Sequence, residues 1–509
     1  MACGGQPGKH CNGGHCGATE PPYFSCSSSS SCSSSSCHVG GRKQESSNEI
    51  SGLCSKCKEK EPRVKANQTE RLCGECLHAS LLAKFKGAVN AHAMILPRDK
   101  ILLAFSGGPA SRVALEFIRE IQSKAQRDSD ASRDSVLHVF QFGVAFVDES
   151  AALQVDSHEA CWVTEAIKSI VSDNVNQQVD LHIASIESIW STDDADCKRK
   201  LSYLLETMHD TTGKEDLIGY LRMQVLQKIA VEHGYSKLIL GLCTTRLAIH
   251  VVASTVKGQG YSLPGDVQYV DARWKVPVVL PLRDCVAKEL TMLCHLNRWK
   301  TVFLKYLSTL SGSHFSVNSL VASFVSLLQE ENPSRERTIV RTAEKLKSFG
   351  FNKLPQSEAI QQLSRKRREA LQNCKTENNA PTELLCLICS GPLNKKEFVE
   401  MRKSFVSDPD LTTLQAAVKN GETSIDLSAS SFHCLCCPSC QFQILEEQKP
   451  SSQHIYSLLP DVIKKRAIEN AMAGENWMRR QIEDCLLSDD EIHDADLEGA
   501  TKNMERLVN

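Results

Sequence analysis

Between residue 100 and about residue 296, short apolar runs alternate with longer stretches whose apolar residues return every three or four positions. Ile101-Leu102-Leu103-Ala104-Phe105 is unbroken by any polar side chain, the pattern of a strand covered on both faces. From Arg112 to about Gln122, Val113, Leu115, Phe117, Ile118 and Ile121 follow at largely helical spacing. A second β-rich segment spans 136–147, a helix opens near His158, and a third strand lies around 179–183. Leu217, Leu221, Val225 and Ile229 put one apolar stripe on a long helix. Lys237-Leu238-Ile239-Leu240 and 276–280 read as further strands. Strands repeatedly joined through helices favour a parallel sheet with helices on both faces, so the predicted fold class is α/β.

The flanks follow other patterns. Residues 1–50 are rich in Gly, Ser and Cys, and 25–37 is almost wholly serine and cysteine. Such a stretch buries too little apolar surface to offset its ordering entropy and is expected to be disordered, its six cysteines being compositional rather than spaced as ligands. A small cysteine module is expected over 51–95, the α/β domain over 96–300 and a helical region over 301–380, which carries the basic cluster Arg365-Lys366-Arg367-Arg368. A second cysteine-rich module spans 381–445, and 446–509 ends in a helix near 461–487 and an acidic stretch at 489–498. No internal repeat is evident.

Composition narrows the class. The chain has 509 residues, enough for two or three domains. No apolar run approaches the roughly 20 residues that span a bilayer, and the N-terminus has neither a secretory nor a transit pattern. A soluble, cytoplasmic protein without a membrane partner is therefore expected. The formal net charge of -2 conceals a basic set, Lys56, Lys58, Lys60, Arg63, Lys65 and Arg71. Such a set serves equally as a solvated face or as a contact for a polyanion, and charge alone does not separate the two.

Twenty-three cysteines in a chain without a secretory signal point to free thiols and metal rather than disulfides. Cys54-Ser-Lys-Cys57 and Cys73-Gly-Glu-Cys76 are two C-x2-C knuckles separated by 15 residues, a spacing that closes a tetrahedral zinc site. All four ligands are cysteine, which leaves no position for substrate and points to a structural metal. Cys386-Leu-Ile-Cys389 and Cys437-Pro-Ser-Cys440 form a second zinc candidate if the long insertion between them loops out. Cys434 and Cys436 beside it are either alternative ligands or buried thiols.

Ser106-Gly107-Gly108-Pro109-Ala110-Ser111 lies between the first strand and the following helix. There a Gly-Gly turn lets backbone N–H groups and a helix N-terminus converge on phosphate, at the strand ends where ligands sit in open α/β sheets. A tight turn without a ligand reads the same way in so short a motif.

Leu103-Ala104-Phe105-Ser106-Gly107-Gly108 resembles the SGGxDS pyrophosphate loop of the ATP-pyrophosphatase, or adenine nucleotide alpha hydrolase-like, family. Cysteine knuckles upstream of the loop are similar to those of that family's tRNA thiolases, and the resemblance extends over about 53–440. It implies a parallel-sheet ATP-pyrophosphatase-like domain flanked by small zinc modules. It also implies a role in 2-thiolation of the wobble uridine (mcm5s2U34) of the tRNAs for lysine, glutamate and glutamine, with tRNA as partner. In such a system a thiolase spends ATP, and sulfur arrives as a thiocarboxylate on a ubiquitin-related carrier. The departures from the family pattern bear on catalysis. The loop's aspartate is Ala110, its variable position is Pro109, and only Ser106, Gly107, Gly108 and Ser111 remain to hold a nucleotide. Residues 216–222 hold no counterpart of the thiolases' cysteine pair, and Gly241-Leu-Cys243-Thr-Thr-Arg246 replaces GHNxDD. The resemblance thus implies a subunit with no catalytic residue of its own, paired with a catalytic thiolase, in which ATP binding is doubtful. Two other readings stay open: an ATP-dependent sulfurtransferase using a rearranged site at 106–111 and Cys243, and a zinc-dependent interaction scaffold.

Overall fold

The computed structural model describes residues 52–65, 70–131, 138–173, 179–190, 194–302, 316–332, 334–352, 384–394, 432–433, 435–445 and 451–466. The expectations for 1–50, for Arg365 to Arg368, for Cys434 and for the acidic stretch lie outside these residues.

The chain enters through a short hairpin of β1 (Val64–Lys65) and β2 (Arg71–Leu72), followed by α1 (Gly74–Ala91). The α/β domain then runs β3 (Lys100–Ala104), α2 (Pro109–Ala131), β4 (Gln141–Asp148), α3 (Ser150–Leu153), α4 (Ser157–Ser172) and β5 (Asp180–Ser185). It continues with α5 (Asp194–Thr207), α6 (Thr211–Glu232), β6 (Lys237–Leu240), α7 (Thr244–Val256), α8 (Leu263–Asp266), β7 (Val270–Asp271), β8 (Val278–Val279) and α9 (Ala287–Leu296). Beyond it lie α10 (Val317–Glu331), α11 (Arg335–Glu344), α12 (Pro438–Cys440) and α13 (Ser451–Leu458).

The main sheet has the order β5-β4-β3-β6-β8-β7 and is parallel except for β7, which pairs antiparallel with β8. The chain builds outward from β3 through β4 to β5 and then returns to the other side of β3 as β6. That reversal opens a crevice at the carboxyl ends of β3 and β6, where the glycine loop and the segment 241–243 emerge. The α/β expectation is borne out. Helix α2 starts at Pro109, three residues before the predicted start, because proline's fixed φ and missing N–H suit the first helical position.

Side chains alternate across the sheet and divide its core in two. Ile101, Leu103, Phe105, Val144 and Ile239 pack with α1, α2, α4 and α9 on one face. Leu102, Ala145, Val147, Leu238 and Val278 pack with α5, α6, α7 and α10 on the other. Each cysteine module joins one of these cores: Cys54, Leu72 and Cys73 the first, and Cys386, Leu387, Ile388 and Cys440 the second. The modules therefore sit on opposite faces of the sheet. The stripe predicted on α6 is real, but Ile218, Gln224, Leu226 and Gln227 are buried as well. The helix is enclosed between the sheet and the second cysteine module, with Gln227 Nε2 donating to Val276 O and Arg466 Nη2 donating to Gln224 Oε1, both at 2.9 Å. No helix among the described residues is long and apolar enough to cross a membrane.

Candidate functional site

The two predicted thiolate sets are both assembled, and by the same local geometry. In the first, Cys54 N–H donates to Lys60 O at 2.8 Å, Lys58 N–H donates to Cys54 O at 2.9 Å, and Cys73 N–H donates to Cys54 Sγ at 3.3 Å. In the second, Cys386 N–H donates to Gly391 O at 2.7 Å, Ser390 N–H donates to Cys386 O at 2.9 Å, and Cys437 N–H donates to Cys386 Sγ at 3.3 Å. Each knuckle turns back through one left-handed residue, Lys58 at φ 56° and Ser390 at φ 58°. Each second pair opens a helix, Cys73 before α1 and Cys437 before α12. The sulfurs of Cys54, Cys57, Cys73 and Cys76 lie within 4.8 Å of one another, as do those of Cys386, Cys389, Cys437 and Cys440.

The donor sets fit a single tetrahedral ion. Zinc–sulfur bonds of about 2.3 Å place neighbouring sulfurs about 3.8 Å apart. Cys57 and Cys73 are separated by 3.9 Å, and Cys389 and Cys437 by 3.8 Å. The Cys57 backbone N–H, with those of Cys73 and Lys56, outweighs desolvation and holds the Cys54 thiol down to about 6, which favours the thiolate. The long insertion in the second set is bridged by tertiary contacts that the sequence does not announce. Arg466 Nη1 donates to Ser390 Oγ at 2.6 Å, Arg273 Nη1 to Ser390 O at 3.3 Å, and Gln259 Nε2 to Ser439 Oγ at 3.1 Å. Cys436 is buried beside this set but is not one of its four members.

The glycine loop is a closed turn. Gly107 has φ +77°, and a Cβ there would come within 2.8 Å of Val302 Cβ and 2.9 Å of Ile167 Cδ1. Val302 N–H donates to Gly107 O at 2.9 Å. Ser111 Oγ donates to Gly108 O at 3.0 Å and lies 3.3 Å from Ser106 Oγ, while Arg112 N–H returns to Gly108 O at 2.9 Å. Pro109 offers no N–H, and Ala110 no carboxylate. Gly241 packs so closely on α2 that a Cβ would meet Ser111 N at 3.0 Å, which brings the two crevice segments together. Cys243 is 1% exposed, and burial raises its thiol pKa, the surroundings of a packed rather than an activated thiol. Burial likewise pushes Cys285 up to about 12. Asp216, in the segment without cysteines, is engaged in a buried pair with Lys257 at 2.7 Å.

Lys56, Lys58, Lys60, Arg63, Lys65 and Arg71 are all exposed on the first cysteine module, and Lys60 pairs with Glu75. Lys65 lies directly opposite Arg71 across the β1–β2 pair, a like-charge juxtaposition that costs stability unless an anion lies between them.

No protein-family model matches the chain. Cytoplasmic tRNA 2-thiolation protein 2 of Arabidopsis thaliana is 44% identical over 456 residues, covering 89% of this chain and 93% of that protein. The protein of that name from Oryza sativa subsp. japonica is 44% identical over 442 residues, 87% of this chain and 90% of its own. The Homo sapiens protein is 27% identical over 356 residues, 58% of this chain and 67% of its own. Among solved structures, the U34-tRNA thiolase NcsA from Methanococcus maripaludis with its 4Fe-4S cluster covers 58% of this chain and 88% of its own at 17% identity and a TM-score of 0.43. At 44% identity to two plant relatives, each matched over at least nine-tenths of its length, the chain belongs to the cytoplasmic tRNA 2-thiolation protein 2 family.

Proposed function

We propose that the chain serves cytoplasmic tRNA 2-thiolation as a non-catalytic subunit that pairs with an ATP-using thiolase and helps present the tRNA to it. The observation that carries this reading is the state of the crevice at the carboxyl ends of β3 and β6. Relatives carry tRNA 2-thiolation in their names, but here the loop that would cradle pyrophosphate is packed against Val302 and Ile167 and lacks the carboxylate and one N–H. The residues present do not fit ATP chemistry, and no step is assigned to them. Cys243 is too buried to accept or pass on sulfur. Activation of uridine, and receipt of sulfur from a thiocarboxylated ubiquitin-related carrier, then fall to the partner.

The two cysteine sets serve as structural zinc sites, because four protein thiols leave no open coordination position. The exposed cations from Lys56 to Arg71 contact tRNA phosphates, which resolves the Lys65–Arg71 repulsion. The substrates are the wobble uridines of the tRNAs for lysine, glutamate and glutamine. The test is ATP–pyrophosphate exchange by the purified chain, with wobble 2-thiouridine measured for the complex assembled with a Ser106→Ala chain. No exchange and near-normal thiolation are expected. A hundredfold loss on Ser106→Ala, about 2.7 kcal/mol of transition-state stabilisation, would assign the loop to the chemistry and favour a sulfurtransferase acting by itself. Unchanged 2-thiouridine in cells lacking the chain would leave only the scaffold reading.

A further inference from the structure

The outward face of the first hairpin carries a local excess of positive charge. Val64 and Leu72 turn into the core, so Arg63, Lys65 and Arg71 project the other way, and all three are exposed. Lys65 and Arg71 face each other directly across the two strands. Ser55 N–H donates to Arg71 O at 2.8 Å, which sets exposed Lys56 beside the same strand. Among the described residues Arg63, Lys65 and Arg71 have no ion pair, while Lys60 nearby is taken by Glu75. Exposed Glu61 and Glu70 flank the set, so the excess belongs to these two strands and not to the module as a whole. Like charges opposed across a strand pair cost stability, and an anion lying over them relieves that cost.

We propose that 489–498 of this same chain is the resident occupant of that face and gives it up to a nucleic-acid backbone. The stretch lies outside the described residues and enters by its sequence. Asp489, Asp490, Glu491, Asp494, Asp496 and Glu498 put six carboxylates into ten residues that include no Lys or Arg, the charge pattern of a short run of phosphates. The described chain ends at Arg466 on the second module, which leaves 467–488, 22 residues, as the tether. As a helix they cover about 33 Å, and extended about 75 Å. Both exceed the radius of gyration of about 23 Å expected of a compact chain of this size. A tether of that length holds the stretch near the hairpin at an effective concentration on the order of mM. Exposed ion pairs are individually weak and screened by salt, so the contact yields to a longer polyanion. The docking follows from charge and reach, and its displacement by tRNA rests on the tRNA reading of the same face.

The experiment treats the full chain with a carbodiimide, which joins carboxylates to lysine amines in contact, with and without an unmodified lysine tRNA transcript. Links from 489–498 to Lys65 and Lys56 within single chains are expected at low salt, and they should disappear at high salt and in the presence of the transcript. Transcript affinity is measured in parallel for a chain whose six carboxylates at 489–498 are replaced by their amides. That chain is expected to bind about fivefold tighter than wild type, and the same replacement should gain less than about twofold in a Lys65→Gln/Arg71→Gln background. An equal gain in both backgrounds would mean general repulsion and overturn the proposal, as would links spread evenly over the exposed lysines. Links formed between chains would give the face to a second copy and overturn it too. Links to Lys65 in a chain that binds the transcript with neither version of the stretch would uphold the docking and remove the tRNA reading.

Discussion

Gly107 and Asp266 show how much single positions carry. An alanine at Gly107 would combine a left-handed backbone with a Cβ 2.8 Å from Val302 Cβ, so both strain and overpacking apply. Gly107→Ala is expected to lower stability by about 2–5 kcal/mol, read from the denaturation midpoint. A loss under about 0.5 kcal/mol, the usual bound for a neutral surface change, would mean the loop is open to solvent and free to take a ligand. Asp266 accepts from His250 Nε2 at 3.0 Å and Ser262 Oγ at 3.1 Å, and it pairs with Arg273. Burial would raise its pKa, but Arg273 and then His250 outweigh burial and hold the carboxyl well below the usual range. A depressed folded pKa stabilises above the unfolded value of about 3.9, and that contribution fades as pH falls toward the folded one. Asp266→Asn should therefore cost about 3 kcal/mol near pH 7, where it strips a partner from buried Arg273, and progressively less below about pH 4. Urea midpoints across that range check this, and a gap between variant and wild type that widens in acid would refute the assignment. Neither effect was legible beforehand, because Val302 and Arg273 reach these positions only in the folded chain.

Among the elements, the first cysteine hairpin was the most readable. Both pairs lie within one short stretch, so local chain geometry suffices to bring four thiols together. Cys73→Ser is expected to release the first metal and to expose the amides of 54–76 to hydrogen exchange, because a structural metal of this kind contributes folding energy directly. Wild-type protein without zinc at this site would defeat the structural reading. The second pair of knuckles was only half readable. Its insertion makes closure depend on Arg273, Arg466 and Gln259, which come from three other parts of the chain. Helix α6 illustrates the same limit. Its four-residue stripe predicted a one-sided helix, but its other faces are buried because the second module covers them.

At the scale of the whole molecule, the proposed subunit role makes the chain act on thiolation through a partner, since its glycine loop lacks the carboxylate and one N–H. Co-expression should yield a stable complex with a competent thiolase, and neutralising Lys65 and Arg71 together should lower the complex's tRNA affinity and flatten its salt dependence by about two phosphate contacts. If the thiolase does not co-purify, and tRNA binding by the mixture equals that of the thiolase, the subunit reading is wrong. Sequence alone determined the α/β class, five of the strands of the main sheet and the four thiols that the first knuckle pair brings together. These depend on periodicity and on spacing along the backbone, which a chain carries before it folds. Only the tertiary structure decided that Gly107 is buried beside Val302, that the second thiolate set closes across its insertion, and that the two modules occupy opposite faces of the sheet. Each of these turns on residues far apart in sequence, such as Gly107 with Val302 and Cys386 with Cys437, whose meeting is fixed by the strand order and by which face each side chain takes.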